Sequence, residues 1–183
     1  MKKSLITAMV ATAISTFSLG AHPEPLANVD HVKVQAGLLK ITAPSDPTED
    51  EIITLNGVKL NLSEPVKGNP NTTITYHFST PDSDFVLLSL SQNAEACPIQ
   101  YSWMKLSRIS YGYSPVFGTC SDQASFKVDG NKLIVQMSGY IAPSLANTGD
   151  VSKADLRAAR KIHTYIFDTV TGKLTENGKP IKG

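Results

Sequence analysis

The sequence has 183 residues, with 17 lysines and arginines and 16 aspartates and glutamates, which gives a formal net charge of +1. With so little net charge, the protein is not expected to bind nucleic acid or an anionic membrane by charge alone. The length is that of one ordinary domain with a hydrophobic core.

Residues 1–21 have the pattern of a cleavable signal peptide. Two lysines precede an apolar stretch from Leu5 to Leu19, and small residues mark a cleavage site after Gly20 or Ala21. The stretch is shorter than the roughly 20 apolar residues that cross a bilayer. We therefore expect an exported protein, periplasmic or secreted, with no transmembrane segment after cleavage.

The mature part is predicted to begin with a flexible leader, because residues 22–31 hold two prolines and little that could be buried. Residues 32–183 are predicted to form a single β-rich domain. Val32 to Thr42 alternates in part and predicts a strand interrupted near Gly37. After an acidic loop, Asn56-Gly57 predicts a tight hairpin, because both residues accept a positive φ.

The next segments predict further strands. Thr72 to Ser79 is rich in β-branched and aromatic residues, which are typical of strands. Phe85 to Ser91 is an almost continuous apolar run, which favours a central strand buried on both faces, although a buried helix has the same pattern. Two hairpins are then expected: Ile99 to Leu106 with Ile109 to Phe117, and Ala124 to Val128 with Lys132 to Ser138.

One segment clearly predicts a helix. Ser152 and Asp155 have the spacing of a capping box. Beyond them, one helix face is apolar (Leu156, Ala159 and Ile162) and the other is basic (Lys153, Arg157, Arg160 and Lys161). We expect this helix to lie on the sheet with its basic face in water.

The remaining elements complete the predicted fold. Residues 139–150 are predicted to be a loop, and His163 to Asp168 a strand followed by a short return strand from Lys173. The elements together predict a mainly β (α+β) fold, an antiparallel sheet or sandwich of hairpins with one short amphipathic helix near the C-terminus.

Cys97 and Cys120 are the only cysteines. An even pair in an exported protein favours a disulfide over a metal site or a catalytic thiol. The two residues flank the predicted hairpin symmetrically about its turn at Arg108-Ile109, so the hairpin would bring them together at its open end. Such a bridge is worth about 3 kcal/mol in the chain-entropy account.

Catalytic and metal-binding patterns are not found in the sequence. The four histidines are isolated from one another, and no Gly-x-Ser-x-Gly elbow is present. The acidic clusters, Asp46 to Glu51 and Asp82 to Asp84, are predicted to be solvated turns. We therefore predict no catalytic residue, metal or cofactor, although two carboxylates that converge in space remain an alternative.

The predicted disulfide-bridged hairpin is rich in aromatic residues. Tyr101 with Trp103, and Tyr111 with Tyr113, each share a strand face. Such a face is either core or a recognition surface. Residues 22–99 carry four lysines and ten acidic residues, whereas residues 100–183 carry eleven basic and six acidic residues. If the two halves lie on different faces, this asymmetry predicts that Arg157 and Arg160 steer a charged partner; the alternative is that strands of both halves interleave and the charges mix.

Three segments resemble a recurring pattern in small exported proteobacterial proteins with no assigned activity. They are residues 95–101 (EACPIQY), 117–122 (FGTCSD) and 175–182 (TENGKPIK). The resemblance covers roughly residues 85–182. It implies export and a disulfide, and it implies no catalytic residue.

Three functions remain open from the sequence. The first is a non-catalytic binding protein of the bacterial envelope with a protein partner, such as an inhibitor or immunity protein against a toxin or hydrolase. The second is a structural or adhesive surface protein. The third is a small envelope hydrolase with a carboxylate site. The absence of catalytic motifs and the aromatic hairpin favour the first.

Overall fold

The structure is a computed structural model that describes residues 24–44, 49, 51–61, 71–91, 95–149 and 151–182. The predicted signal peptide, residues 1–21, lies outside the described residues. Within them, no helix is both long and apolar enough to cross a membrane. The described part of the chain is mostly β with antiparallel pairing and little helix, which confirms the predicted fold class.

The strands in chain order are β1 (Glu24–Val29), β2 (His31–Val34), β3 (Gly37–Thr42), β4 (Ile52–Leu55), β5 (Val58–Lys59), β6 (Asn71–Ser79), β7 (Asp84–Ser91), β8 (Ile99–Leu106), β9 (Tyr111–Tyr113), β10 (Ala124–Asp129), β11 (Lys132–Ser138), β12 (Ile162–Asp168), β13 (Leu174–Glu176) and β14 (Lys179–Pro180). Two short helices, α1 (Pro143–Thr148) and α2 (Lys153–Arg160), connect β11 to β12.

The strands form three antiparallel sheets stacked in three layers. The middle sheet has the order β1-β6-β7-β8-β9. One outer sheet, the N-terminal sheet, has the order β2-β3-β4-β5, and the other, the C-terminal sheet, has the order β10-β11-β12-β13-β14. The two outer layers therefore come from different halves of the chain.

Each face of the middle sheet is buried against one outer sheet. The aliphatic core faces the N-terminal sheet and consists of Val34, Leu39, Ile41, Ile53, Leu60, Ile74, Val86, Leu88, Leu90, Met104 and Leu106. The aromatic core faces the C-terminal sheet and consists of Tyr76, Phe85, Leu87, Tyr101, Trp103, Phe117, Leu133, Val135, Met137, Tyr165, Phe167 and Leu174. Because both faces are covered, the middle sheet needs strands that are apolar on both sides.

Strand β7 meets this requirement directly. Phe85 and Leu87 enter the aromatic core, while Val86 and Leu88 enter the aliphatic core. Successive side chains of a strand point to opposite faces, so a continuous apolar run supplies both cores at once. The predicted central strand buried on both faces is confirmed.

Strand β6 serves both cores by a different device, a β-bulge. Ile74 pairs with Leu88 and Tyr76 pairs with Leu87, so Thr75 is the extra residue. Without the bulge, Ile74 and Tyr76 would share a face. With it, Ile74 joins the aliphatic core and Tyr76 the aromatic core.

The predicted leader over residues 22–31 differs from the structure. Glu24–Val29 is β1, which pairs with β6 at the edge of the middle sheet, and His31 begins β2. Pro25 is compatible with an edge strand, where its missing N–H interrupts no ladder. The low apolar content of this segment does not preclude a strand, because backbone pairing and the contact of Val29 with the aliphatic core hold it.

The helical region also differs from its prediction. The capping box of α2 is confirmed, since Ser152 Oγ accepts the Asp155 N–H and Asp155 Oδ2 accepts the Ser152 N–H, both at 3.1 Å. The predicted packing is wrong, because α2 buries no side chain and Leu156 is 43% exposed. The helix instead meets the chain at Gly139, where a Cβ would lie 2.5 Å from the Ala158 carbonyl oxygen.

Two further predictions in this region had different outcomes. Part of the predicted loop over residues 139–150 forms α1, which begins at a proline, a residue that suits a first helical position.

The disulfide between Cys97 and Cys120 is confirmed, with Cα atoms 4.7 Å apart. Between the cysteines, β8 and β9 pair around a turn at residues 107–110, as the spacing predicts.

Candidate functional site

Six hairpin turns lie at one end of the three layers, which we call the turn end. They are the turns of β2–β3 (residues 35–36), β4–β5 (56–57), β6–β7 (80–83), β8–β9 (107–110), β10–β11 (130–131) and β12–β13 (169–173). The opposite end, which we call the helix end, carries the disulfide, α1, α2 and the β13–β14 turn. Four surface cavities lie at the turn end and share lining residues. Lys105 lines three of them, and Arg108 links the β8–β9 turn to the N-terminal sheet.

Hydrogen bonds between turns hold the turn end together. The Gln35 N–H donates to Asp84 Oδ2 at 2.7 Å, and the Gln35 side-chain amide donates to the Thr80 carbonyl oxygen. These two bonds join the β2–β3 turn to the β6–β7 turn. They therefore tie an outer sheet to the middle sheet at this surface.

The Asn56-Gly57 turn is confirmed, with φ of 52° and 78° at the two residues. The Asn56 side chain also bonds to the neighbouring β2–β3 hairpin. Asn56 Oδ1 accepts the Leu38 N–H at 2.9 Å, and Asn56 Nδ2 donates to the Ala36 carbonyl oxygen at 2.8 Å. A Cβ at Gly37 would lie 1.9 Å from Asn56 Oδ1, so glycine is required there.

The C-terminal sheet is joined to the same surface. Lys105 Nζ lies 3.5 Å from the Thr169 carbonyl oxygen, and Thr169 donates its N–H and its hydroxyl to the Asn131 carbonyl oxygen. On the other side, the Asn61 N–H donates to the Tyr111 hydroxyl at 2.8 Å. All three layers thus contribute to one cross-linked surface.

Large apolar side chains protrude from this surface. Ile109 is 97% exposed, Val170 is 70% exposed and Val58 is 68% exposed, and each lies in or beside a different turn. Such exposure costs nothing in folding but leaves apolar area available to a partner. An apolar residue at the tip of a predicted turn is a sequence signal for this surface, and Ile109 lies within the predicted turn at Arg108-Ile109.

The aromatic residues singled out from the sequence divide between core and surface. Tyr101 and Trp103 are almost fully buried in the aromatic core, and burial raises the pKa of Tyr101 to about 12. Tyr113 packs on the aliphatic core, where burial raises its pKa. Tyr111, 39% exposed, is the member of the four that lies on the surface.

The two arginines singled out from the sequence lie elsewhere. Arg157 and Arg160 are exposed on α2, at the helix end. The structure therefore does not bring them together with Tyr111. If both regions act on one partner, they do so from opposite ends of the strands.

The acidic clusters are not simply solvated turns. Asp84 begins β7 and is buried, and its carboxylate accepts hydrogen bonds from the Gln35 N–H and the Ser79 hydroxyl, with His77 Nε2 2.9 Å away. Immediately before β4, Glu51 is also buried and accepts the Thr72 N–H at 2.7 Å. Desolvation raises the pKa of the Glu51 carboxyl. The sequence pattern does not reveal these buried carboxylates, because the backbone N–H groups that bind Asp84 and Glu51 are 49 and 21 residues away in the chain.

The cluster of Ser79, His77 and Asp84 does not have the arrangement of a nucleophilic triad. The Ser79 hydroxyl donates to Asp84 at 2.6 Å and lies 3.2 Å from His77 Nε2, the same nitrogen that faces Asp84. In a triad, the acid and the nucleophile engage different ring nitrogens. None of these three residues lines any of the four cavities. The cluster instead anchors the β2–β3 turn.

Among the residues that the structure describes, no three His, Cys, Asp or Glu side chains form a group that could hold a metal ion. Comparisons with protein-family models, with curated proteins and with solved structures each find no match to this chain. The candidate site therefore depends on its own geometry, a cross-linked set of turns that presents exposed apolar side chains.

Proposed function

We propose that this protein is an exported, non-catalytic binding module of the bacterial envelope that acts as an inhibitor or immunity protein against a toxin or hydrolase. The observation that supports the proposal is the turn end, where Ile109, Val170 and Val58 protrude from three hairpins, each joined to a neighbouring segment by a side-chain hydrogen bond. Binding loops on a rigid β scaffold are a common recognition device.

Rigidity is the second support for this proposal. A partner gains affinity from a surface that needs no ordering on association, because less conformational entropy is lost. The bonds of Gln35 and Asn56 to neighbouring strands and turns limit the movement of the β2–β3 and β4–β5 turns in the free protein. Tyr111 adds an aromatic side chain, of the kind enriched at binding hot spots.

The proposed location is the periplasm or the outside of the cell. A disulfide is typical of proteins in oxidising compartments, and Cys97 and Cys120 are joined. The predicted signal peptide over residues 1–21 supports the same location. Sequencing the N-terminus of periplasmic material tests it, with Ala21 or His22 expected as the first residue.

The test of the binding function compares variants of the two ends. The double variant Ile109→Asp/Val170→Asp should lose partners that the purified wild-type protein captures from envelope extracts. The matched control is Leu145→Asp/Leu156→Asp, which places the same two charges on exposed leucines of the helix end. A partner retained by the control and lost by the turn-end variant is then purified and its catalytic activity measured with and without this protein.

Two results would overturn the proposal. Capture that is unchanged in the turn-end variant would show that the surface does not bind. A captured partner whose toxic or hydrolytic activity is unaffected by a saturating amount of this protein would remove the inhibitor function.

A further inference from the structure

Among the strands that the structure describes, six lie at the edges of the three sheets, and they differ in how well they are protected from pairing with another strand. An edge strand presents unpaired backbone N–H and C=O groups, and a lysine or a proline on it discourages such pairing. Five edges have this protection: β1 (Pro25), β2 (Lys33), β5 (Lys59), β10 (Lys127) and β14 (Lys179 and Pro180). The sixth edge, β9, is Tyr111-Gly112-Tyr113 and carries neither residue type.

The pairing of β9 with β8 shows which backbone groups of β9 face outwards. The Ser114 N–H donates to the Trp103 carbonyl oxygen at 2.8 Å, and Gly112 lies two positions earlier in the same antiparallel ladder. In such a ladder, every second residue bonds to the neighbouring strand. Gly112 therefore points its backbone groups towards β8, whereas Tyr111 and Tyr113 point theirs away from it. No described strand pairs with this outer side of β9.

The sequence around β9 is a palindrome. Residues 110–114 read SYGYS in both directions, with Gly112 at the centre. If two copies of β9 pair antiparallel about a two-fold axis at Gly112, Tyr111 of one copy lies opposite Tyr113 of the other, and Gly112 lies opposite itself. In this register the outward-facing N–H and C=O groups of each tyrosine find partners in the second copy.

The side chains of β9 are compatible with the same register. Tyr111 is 39% exposed and its ring lies beside that of Tyr113, with centroids 6.3 Å apart. Aromatic residues that face each other across an antiparallel pair stabilise it. On the opposite face, a Cβ at Gly112 would meet nothing within 4 Å. The two backbones can therefore approach each other at the axis without a clash from this residue.

We propose that this protein forms a symmetric homodimer by antiparallel pairing of β9 with β9 of a second copy, which joins the two middle sheets into one continuous sheet. A second copy fits this edge better than an unrelated strand does, because the palindrome makes the edge complementary to itself. Pro115 has no N–H and limits the pairing to this short strand, and the two-fold axis closes the assembly at two copies. This self-association goes beyond the proposed partner-binding function and does not depend on it.

The first test measures the association of the purified protein by sedimentation velocity over a range of concentrations. A strand of three residues gives a small interface, so half of the chains should be dimeric at a concentration on the order of 0.1 mM. Hydrogen exchange provides a second readout. The amides of Tyr111 and Tyr113 should exchange rapidly in dilute protein and more slowly as the dimer forms, because they are bonded only between copies.

Exchange of charge at Gly112 tests the register. Gly112→Lys and Gly112→Glu each place two like charges opposite one another in the dimer, so each variant alone should have a dissociation constant raised about fivefold or more. An equimolar mixture of the two should associate at least as tightly as the wild type, because lysine then faces glutamate.

The matched controls place the same charges on another edge. Ser125 is exposed on β10, and Ser125→Lys and Ser125→Glu should associate as the wild type does, both alone and mixed. Thermal unfolding confirms that each variant is folded.

The proposal is overturned if the wild type is still monomeric at about 1 mM, or if the amides of Tyr111 and Tyr113 are already protected in dilute protein. It is also overturned if the folded Gly112 variants associate as tightly alone as they do in the mixture. Since none of these measurements involves a partner protein, their failure is separate from a failure of the proposed inhibitor function.

Discussion

The turn end and the helix end expose apolar side chains in different ways. At the turn end, the hairpins that carry the protruding residues are each joined to a neighbouring segment by a side-chain hydrogen bond, from Asn56 to Ala36, from Asn61 to Tyr111 and from Lys105 to Thr169. At the helix end, Leu156 and Leu145 are carried by short helices that bury no side chain. The covalent bridge between Cys97 and Cys120 is at this second end.

The two ends of the molecule are held by two different kinds of constraint. A disulfide acts mainly on the unfolded chain, because it limits the conformations that must be given up on folding. Hydrogen bonds between turns act on the folded state and set the shape of the surface itself. The turn end is therefore the better candidate for recognition, although the disulfide is the more visible feature of the sequence.

The largest expected effect is that of removing the disulfide. The variant Cys97→Ser/Cys120→Ser should lower the free energy of unfolding by about 3 kcal/mol, given a sequence separation of 23 residues. Urea unfolding followed by tryptophan fluorescence measures the change. In an NMR spectrum of the folded variant, the chemical shifts of the amides at the turn end should be unchanged. Chemical-shift changes at Ile109 and Val170 as large as those at α2 would show that the two ends are not independent.

The next largest expected effect is a difference in stability between variants of a buried carboxylate and of its exposed neighbour. Asp84→Ala should cost about 2 kcal/mol, because it removes the acceptor for Gln35 and Ser79 at a buried position. Hydrogen exchange at the Gln35 amide should also become faster. Asp82→Ala, on the exposed side of the same turn, is the control and should change stability by less than about 0.5 kcal/mol. Equal costs would mean that Asp84 does not hold the turn.

The two Asn-Gly turns provide a smaller and more direct comparison. Asn56 makes two side-chain bonds at the turn end, whereas Asn177 accepts a single bond from the Thr164 N–H at the other end, and both have a positive φ. Asn56→Ala should cost about 1 kcal/mol more than Asn177→Ala, since one more hydrogen bond is lost. Thermal unfolding of the two variants side by side measures the difference in stability. Equal stabilities would show that the second hydrogen bond of Asn56 adds nothing.

The smallest effect concerns pH and the second buried carboxyl. Since burial raises the pKa of Glu51, the folded state favours the protonated group. Its contribution to stability is therefore present below the ordinary pKa and is lost as pH rises through the raised value. Glu51→Gln keeps an acceptor for the Thr72 N–H but does not titrate. The melting temperature of the wild type relative to this variant should fall from about pH 4 to about pH 7, and a constant difference would contradict the raised pKa.

Several parts of the fold could be predicted because the signal was local or strictly periodic. The Asn56-Gly57 turn, the capping box at Ser152 and the apolar run of β7 each follow from adjacent residues. The cysteine spacing identified the hairpin turn at residues 107–110, because a symmetric pair must meet if the strands between them pair.

Other features depend on contacts that no local pattern contains. Residues Glu24–Val29 form a strand because β6 has a free edge, and this edge is a property of the whole sheet. Tyr101 and Tyr111 have the same residue type and differ in burial, because the C-terminal sheet covers one face of β8. The contact of Lys105 with the Thr169 carbonyl oxygen joins residues 64 positions apart, so the sequence around Lys105 carries no sign of it.

The bulge at Thr75 has a consequence for how β6 tolerates change in length. Residues before it and residues after it contribute to opposite cores, so the strand is divided into two segments of opposite parity. Deleting Thr75 would restore a regular ladder in which Ile74 and Tyr76 are consecutive residues, so each would keep its present core. Drawing Thr75 into the ladder without a deletion would instead turn Tyr76 and Phe78 towards the aliphatic core. Homologous chains should therefore tolerate the loss of one residue at the bulge more readily than elsewhere in the strand.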